Sequence, residues 1–279
     1  MEIFDFDELL SSKAKAKTPS VISIGVFDGV HKGHKHIIER LIKMKDKHPG
    51  SEAMVITFGI NPKPQSQGAL DSVRIRAKYM DQLGVNSFVV IDFSDNFSRI
   101  TACGFIKLLL ELTTPEAIVV GEDFKFGNPS DAASALDLQD LFLKEGRDVE
   151  VDIVEQILTE GGEKISSTLL RRLIKNGELK YFFELSGQSF QIDLMPIPYR
   201  FDDGKLVFST DAIHQLLPPL GAYDTDLILS DGRVLKTVAN LEKEFLCLDA
   251  HSLLSVFGCQ NELEKAKVQI DSLSFGEKR

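Results

Sequence analysis

Cysteine is scarce in this sequence, and its few copies form no pattern. Cys103, Cys247 and Cys259 are the three cysteines among 279 residues, and no CxxC pair occurs. An odd, widely spaced set of this kind indicates neither a disulfide framework nor a zinc site, and it fits a reducing compartment. We therefore expect a cytoplasmic protein.

Long apolar runs and an excess of positive charge are also lacking. The N-terminal stretch "MEIFDFDELLSSKAKAK" does not resemble a signal peptide, and no run approaches the ~18 apolar residues of a membrane-spanning helix. The 32 Lys and Arg residues are outnumbered by 42 Asp and Glu residues. Proteins that bind nucleic acids or anionic membranes usually show a basic patch. We therefore expect neither a nucleic-acid partner nor a membrane partner.

An alternation of two patterns fills residues 21 to about 186. Short apolar, β-branched runs predict strands, and the stretches between them carry the apolar period of helices. The predicted strands cover 21–26, 53–58, 87–91, 117–120 and 149–154, and the predicted helices begin near 32 and 71 and lie near 103–112 and 135–145. This alternation predicts an α/β fold, with a Rossmann-like parallel sheet and helices on both faces.

Beyond Gly187 the pattern changes to short candidate strands, such as 205–209 and 226–239. The second of these contains Asp231 and Gly232, a pair typical of a tight hairpin turn. We therefore predict two domains: residues 1–187, and a smaller, mostly-β, barrel-like domain of residues 188–279. A terminal helix is predicted near 260–273.

The stretch "IGVFDGVHKGHKHI", residues 24–37, lies where a predicted strand gives way to a helix. His31 and His34 fall on one helical face in the first turn, beside unpaired backbone N–H groups that can bind an anion. Gly33 keeps the backbone approachable, and Gly29 suits a turn with positive φ. The same spacing is compatible with a plain strand-turn-helix or with half of a metal site, so these alternatives stay open here.

A second candidate site is "KISSTLLRRLIKNG", residues 164–177. Any one of Ser166, Ser167 and Thr168 can cap a helix here, and a well-capped amphipathic helix is the simplest interpretation. The functional interpretation is a second phosphate site, in which Arg171 binds two phosphate oxygens with its planar guanidinium. Neither the GxxxxGK[ST] nor the GxGxxG pattern occurs, so a nucleotide site would have to be of the histidine type.

Three ordered motifs carry a resemblance to a known family. "GVFDGVHKGH" (25–34) is similar to the G-x-F-D-G-x-H-x-G-H signature of bacterial FAD synthetases, members of the HxGH nucleotidyltransferase superfamily. "VVGEDFKFG" (119–127) and "ISSTLLR" (165–171) resemble two further motifs of that family, and the similarity covers about residues 18–190. It implies FMN adenylyltransferase activity, in which the AMP moiety of ATP passes to FMN and gives FAD and pyrophosphate, normally with Mg²⁺.

The resemblance also implies roles for individual residues. His31 and His34 would meet the α-phosphate of ATP, and Arg171 would hold the departing phosphates. The metal ligands and the FMN contacts are not assigned. The implied ATP contacts are Gly25, Phe27, Asp28, Gly29, Gly33, Asn61, Gly121, Asp123, Phe126, Ser167 and Thr168.

The sequence departs from the family pattern in three places. Asn61 stands where the family usually has a histidine; it can donate a hydrogen bond but carries no charge. Ala132 and Ala133 follow "FGNPSD" where a glycine and an Asp or Asn are usual, unless Asp131 or Asn128 replaces the missing contact. The P-T-A-N motif of the family's riboflavin kinase domain is absent.

These departures leave three functions in view. We expect an FAD synthetase without riboflavin kinase activity, because the second domain resembles a degenerate kinase barrel. The alternatives are a non-catalytic flavin or nucleotide binder, and an adenylyltransferase for another phosphomonoester.

Overall fold

Two compact units make up the chain in the computed structural model. One unit comprises Met1–Gln65 and Arg76–Lys164, and the other comprises Ser66–Ile75 and Ile165–Arg279. The residues that the structure describes are 1–59, 68–92, 97–251, 253, 255 and 270–279.

The first unit is built on a parallel sheet. Its strands are β1 (Glu2–Asp5), β2 (Pro19–Ile24), β3 (Glu52–Phe58), β4 (Ser87–Ile91), β5 (Thr114–Gly121), β6 (Lys125–Phe126), β7 (Ala133–Ser134) and β8 (Glu150–Val154). Six of them form a sheet in the order β1-β4-β3-β2-β5-β8, with all neighbours parallel. β6 and β7 form a separate antiparallel ribbon. The predicted Rossmann-like sheet is confirmed.

Helices cover this sheet. They are α1 (Phe6–Ser12), α2 (Lys32–Lys47), α3 (Val73–Gln82), α4 (Ala102–Leu112) and α5 (Leu138–Lys144). α1, α4 and α5 share one hydrophobic cluster with Ile22, Ile56 and Ile118 of the central strands. The alternate residues Val21 and Val119 are also fully buried, and they point to the opposite face because strand side chains alternate. Strands buried on both faces are expected in a helix-covered parallel sheet.

The strand order locates the region where a ligand site is expected. From β2 the chain runs through β3 and β4 toward one edge of the sheet, and from β5 it runs to β8 at the other edge. β2 and β5 are neighbours, so the order reverses between their carboxyl ends. In open α/β sheets ligands bind at such a switch point.

The second unit is mostly β, as predicted. Its helices and strands are α6 (Ser167–Asn176), α7 (Leu179–Ser186), β9 (Gln191–Asp193), β10 (Tyr199–Asp202), β11 (Lys205–Ser209), β12 (Gly221–Leu229), β13 (Val234–Leu241), β14 (Phe245–Asp249) and β15 (Ile270–Lys278). The seven strands form one antiparallel sheet, an open half-barrel in the order β10-β11-β14-β13-β12-β15-β9. The hairpin at Asp231 and Gly232 is confirmed, because β12 and β13 pair on either side of it.

The structure corrects one predicted element and adds several that the sequence patterns missed. The C-terminal helix is wrong for residues 270–273, which begin β15; residues 260–269 of that prediction lie outside the described residues. Leu273 and Phe275 are buried while their neighbours are polar, a period of two that indicates a strand. Sequence patterns also missed β1 and α1, where the Asp5 carboxylate accepts the N–H of Glu8 as a helix cap.

The first compact unit ends at Lys164, and residues from Ile165 onward belong to the second unit. α6 and α7 are therefore in the same unit as the antiparallel sheet. The division into functional domains at 187 and 188 stays a prediction. None of the helices in the described ranges combines the length and the apolar character needed to span a bilayer.

Candidate functional site

The turn between β2 and α2 depends on unusual backbone conformations. Phe27 and Gly29 both have positive φ, at 50° and 80°. The Phe27 side chain is 2 % exposed, and a Cβ at Gly25 would lie only 3.0 Å from its ring. Glycine at position 25 therefore lets the Phe27 ring fold back beneath the turn, and Gly29 supplies the left-handed step before the helix.

His31 is the N-cap of α2, because its Nδ1 accepts a hydrogen bond from the N–H of His34 at 3.3 Å. An accepting Nδ1 assigns the imidazole proton to Nε2 in the neutral ring. The helix begins at Lys32, so Gly33 lies in its first turn beside the unpaired N–H groups. Histidine is an unusual cap, and nothing in the motif spacing indicated this role.

The two histidine rings stack on each other. Their centroids are 3.7 Å apart at an interplanar angle of 18°, and Phe27 meets His34 edge-on at 5.3 Å. His31 is 5 % exposed. In the described part of the chain, Nδ1 of His34 is buried without a hydrogen-bond partner.

Burial and nearby cations keep both imidazoles neutral. Burial and then Lys164 lower the pKa of His31 from 6.5 to about 4, although Asp123 opposes the shift. Burial and then His31, Arg76 and Lys164 lower the pKa of His34 well below its ordinary value. Near neutral pH the pair therefore acts through hydrogen bonds, and not as a pair of cations.

Arg76 holds the ends of two strands and was not predicted as a site residue. It is 3 % exposed, and its Nη1 donates to the Val26 carbonyl at 2.6 Å and to Thr57 Oγ1 at 2.9 Å. Its Nη2 donates to the Gly59 carbonyl at 3.2 Å. Val26 follows β2, and Gly59 follows β3. Asn61, a predicted ATP contact, lies outside the described residues.

The loop after β5 is organised by Asp123. Its carboxylate binds Lys164 Nζ at 2.5 Å, and a Cβ at Gly121 would lie 3.2 Å from Asp123 Oδ1. Phe126 is 8 % exposed and stacks on Phe124 with ring centroids 5.4 Å apart. The Phe126 side chain therefore belongs to the hydrophobic core, and it packs beneath the loop against Phe124.

Two polar residues near the alanines serve the loop itself. The Asp131 carboxylate accepts the N–H of Ala102 at 2.8 Å, at the start of α4. The Asn128 amide donates to the Arg99 carbonyl at 3.1 Å, and its oxygen accepts from Ser130. Both side chains are engaged in shaping the β6–β7 region.

The second motif forms the start of α6, in the second unit. Ser166 is the cap, because its hydroxyl accepts the N–H of Leu169 at 3.3 Å. Ser167 and Thr168 are therefore the first two helical residues, where backbone N–H groups lack helical partners. Arg171 follows one turn later and is 8 % exposed.

The sequence-predicted residues thus fall on three loops of the fold. At the β2–α2 turn lie Gly25, Phe27, Asp28, Gly29, His31, Gly33 and His34; at and after the end of β5 lie Gly121, Asp123 and, in β6, Phe126; at the start of α6 lie Ser167, Thr168 and Arg171. The first two groups follow the two strands of the switch point.

A protein-family model described as FAD synthetase matches residues 13–169, more than half of the chain. The chain belongs to the FAD synthetase family. The matched range contains both histidines, the β5 loop and the start of α6.

Relatives of this FAD synthetase family member carry names that agree with the family assignment. The Escherichia coli K12 bifunctional riboflavin kinase/FMN adenylyltransferase is 29 % identical over 234 residues, which cover 79 % of this chain and 72 % of the relative. A Geobacillus thermodenitrificans protein given that name provisionally is 32 % identical over 161 residues, 57 % of this chain and 84 % of the relative. A Listeria monocytogenes FAD synthetase is 28 % identical over 222 residues, 76 % of this chain and 83 % of the relative.

A solved structure shares the fold. The crystal structure of a protein named as a macrolide-efflux protein, from Streptococcus pneumoniae, aligns with a TM-score of 0.71 and 22 % identity. The alignment covers 94 % of this chain and 90 % of that chain. At this identity the likeness shows the fold alone.

FAD synthetases use ATP and generally need a divalent metal. Within the described residues, no group of three His, Cys, Asp or Glu side chains could form a metal site. Mg²⁺ is commonly held by one or two carboxylates together with substrate phosphates and water. Two of the carboxylates on the switch-point loops are those of Asp28 and of Asp123, which also binds Lys164.

Proposed function

We propose that this protein is an FMN adenylyltransferase that makes FAD and pyrophosphate from FMN and ATP. The observation that carries the proposal is the pair of neutral, stacked imidazoles of His31 and His34. They lie at the N-terminus of α2, at the switch point of an FAD synthetase-family sheet. A helix N-terminus there offers N–H groups and a positive dipole to a phosphate.

The reaction requires little proton transfer. An oxygen of the FMN phosphate attacks the α-phosphorus of ATP, the new O–P bond forms, and the bond from that phosphorus to the β-phosphate oxygen breaks. The FMN phosphate is already ionised near neutral pH, so no general base is needed. Catalysis then depends on alignment and on stabilising charge on the α-phosphate and on the leaving group.

The neutral histidines suit the α-phosphate. The Nε2–H of His31 is a hydrogen-bond donor, because Nδ1 accepts the His34 N–H. A neutral donor can follow the developing charge on the equatorial oxygens without binding ground-state ATP as tightly as a cation would. We assign His34 to the same phosphate, with Gly33 leaving the backbone N–H groups open between them.

The remaining ATP contacts are assigned by the motifs. We propose that Ser167, Thr168 and Arg171 bind the departing β- and γ-phosphates through the start of α6, with the guanidinium supplying charge. The other proposed ATP contacts are Gly25, Phe27, Asp28, Gly29, Asn61, Gly121, Asp123 and Phe126, with Phe126 acting through its backbone because its side chain lies in the core.

A magnesium ion bound to ATP would neutralise part of the phosphate charge. Asp28 and Asp123 are the carboxylates we propose would meet it. We also propose a cytoplasmic location, on the free thiols of Cys103 and Cys247 and the use of ATP.

Residues 188–279 are proposed to lack riboflavin kinase activity, because the P-T-A-N motif is absent from the sequence. Residues 1–187 are proposed to carry the transferase function. On this proposal the FMN substrate is made by another enzyme.

The test is a substrate panel with ATP and Mg²⁺. FAD and pyrophosphate should form from FMN, while riboflavin should give neither FMN nor FAD. FMN formation from riboflavin would contradict the missing kinase activity. Pyrophosphate release with nicotinamide mononucleotide or phosphopantetheine, but not with FMN, would favour another acceptor. ATP or FMN binding without pyrophosphate release would favour a non-catalytic binder.

The same assay tests the two histidines. His31→Ala and His34→Ala should each lower turnover by about tenfold or more, because a donor to the transition state is lost. His36→Ala is the matched control: His36 is on the same helix but is more exposed and pairs with Glu39. Wild-type turnover in both site variants would refute their assignment.

A further inference from the structure

Residues 68–75, which we call the strap, pack within the second unit although they follow β3 of the first. Ala69 forms a bridge with Gln215, and its carbonyl accepts the N–H of Leu216 at 2.8 Å. The Gln215 amide donates to the Leu70 carbonyl at 2.8 Å. Gly68 has a φ of 78°, and a Cβ there would lie 2.9 Å from the Leu216 nitrogen. The strap backbone is therefore held closely against residues 214–216.

A charge network fixes the other end of the strap. The Nε of Arg74 donates to both carboxylate oxygens of Asp193, and its Nη2 donates to Asp193 Oδ1. Its Nη1 donates to Asp271 Oδ2 at 2.5 Å. Its Nη2 donates to the Asp271 carbonyl at 2.7 Å. Asp193 and Asp271 are 6 % and 4 % exposed. Two buried carboxylates of like charge would be unstable without a cation between them, so the guanidinium of Arg74 is held in this one position.

The network also defines where α3 begins. The Ser72 hydroxyl donates to Asp193 Oδ2 at 2.6 Å and accepts the N–H of Ile75 at 3.2 Å, as a helix cap. Arg74 and Arg76 then lie in the first turn of α3. A helical turn is stiff, so the position of Arg76 follows from the anchoring of Ser72 and Arg74.

Arg76 binds the backbone of two loops that are proposed to bind ATP. Its guanidinium donates to the carbonyls of Val26 and Gly59. Val26 precedes Phe27 and Asp28, both proposed ATP contacts, and Gly59 lies two residues before Asn61.

We propose that Arg74 is a positioning residue for adenylyl transfer: bound by Asp193 and Asp271, it sets the first turn of α3 and thereby the ATP-binding loops that Arg76 holds. The proposal rests on the proposed function. It gives the antiparallel sheet a role in the reaction that needs no kinase activity, since β9 and β15 supply the two carboxylates.

The test uses the full chain with two changes at the network. Arg74→Lys keeps the charge but loses the fork. The triple change Arg74→Met, Asp193→Asn and Asp271→Asn removes all three charges, so that no unpaired carboxylate is left buried to prevent folding. Both proteins should show a KM for ATP raised by about tenfold, with little change in kcat, a size typical of coupling through a packed network.

Arg233→Ala is the matched control, because Arg233 pairs with Asp231 in an exposed hairpin of the same unit. It should leave the KM for ATP at the wild-type value. A wild-type KM in both network variants, or an equal rise in the control, would overturn the positioning role.

Hydrogen exchange separates this proposal from the proposed function. Without any substrate, the network variants should exchange faster than wild type over residues 24–30, where Val26 accepts from Arg76. An unchanged rate there would overturn the positioning role. A wild-type protein that forms no FAD would contradict the proposed function alone, and the exchange measurement would still decide the role of Arg74.

Discussion

At the scale of single residues, the proposed chemistry depends on the charge state of two histidines. His31 and His34 stack at 3.7 Å, so two positive rings would repel each other at close range. Burial already disfavours the charged form of each ring, and Lys164 adds to that effect. The site therefore presents neutral donors beside the helix N-terminus, which leaves the positive charge to the helix dipole and to neighbouring cations.

The lowered pKa of His31 predicts how stability depends on pH. The folded protein holds this ring neutral down to about pH 4, whereas the unfolded chain protonates it near 6.5. Unfolding therefore takes up a proton between these values. The contribution of the neutral ring to the free energy of unfolding should therefore be complete above pH 6.5. It should decrease as the pH drops toward 4, by up to about 1.4 kcal/mol per pH unit for each such group.

Urea unfolding at pH 5 and pH 7 measures this effect, with His31→Gln as the comparison. Glutamine does not titrate, so the variant should lose less stability than wild type between the two pH values. Equal losses in the two proteins would contradict a neutral buried His31.

At the scale of secondary-structure elements, loops between strands and helices hold the proposed site residues. Glycine permits the closest backbone contacts in these loops. Gly127 follows β6 and has a φ of 86°. A Cβ there would lie 2.6 Å from the Asp131 carbonyl oxygen and 2.9 Å from the Ala102 nitrogen. These contacts are to backbone atoms, which cannot move aside without shifting the start of α4.

Gly127→Ala should therefore lower the free energy of unfolding by about 2 kcal/mol more than a glycine change without a clash. Gly146→Ala is the matched control, because Gly146 has a φ of 74° and no atom lies within 4 Å of the place that an added methyl group would take. Thermal or urea unfolding of the two variants gives the difference. Equal destabilisation would show that backbone strain alone, and not the clash, determines the cost.

At the scale of the whole molecule, the second unit supplies contacts to a segment that comes early in the chain. Gln215, Asp193 and Asp271 bind the strap, and Phe190 packs on Phe182 of α7 with ring centroids 5.7 Å apart. The predicted functional domain of residues 1–187 lacks Gln215, Asp193, Asp271 and Phe190.

A fragment of residues 1–187 should therefore be much less stable than the full chain. It exposes the buried face of α7 and leaves Arg74 without its carboxylates, so we expect aggregation or a clearly lower Tm. Size-exclusion chromatography and thermal unfolding check this against the full chain. A monomeric fragment with the Tm of the full chain would show that the second sheet is dispensable for folding.

Much of the fold and of the candidate site follows from local sequence patterns. The predicted strands at 87–91 and 205–209 match β4 and β11, because strand periodicity and turn residues act over a few neighbours. The helix starts at His31 and Ser166 fall inside the predicted motifs for the same reason. Residues 270–273, the start of β15, were predicted as part of a helix, because the pairing of β15 with β12 and β9 depends on residues far away in the sequence.

By itself, the sequence determined the α/β class of the first part of the chain, the mostly-β character of the second part and the three motifs of an FAD synthetase. Each of these depends on residues that are close together in the sequence. Only the tertiary structure decided the neutral state of the histidines and the roles of Arg76 and Arg74. Burial determines the charge state of the histidines, and the two arginines need partners from distant parts of the chain. Asp193 lies 119 residues from Arg74, and Asp271 lies 197 residues from it. Such pairings form only when the whole chain folds, and no local pattern records them.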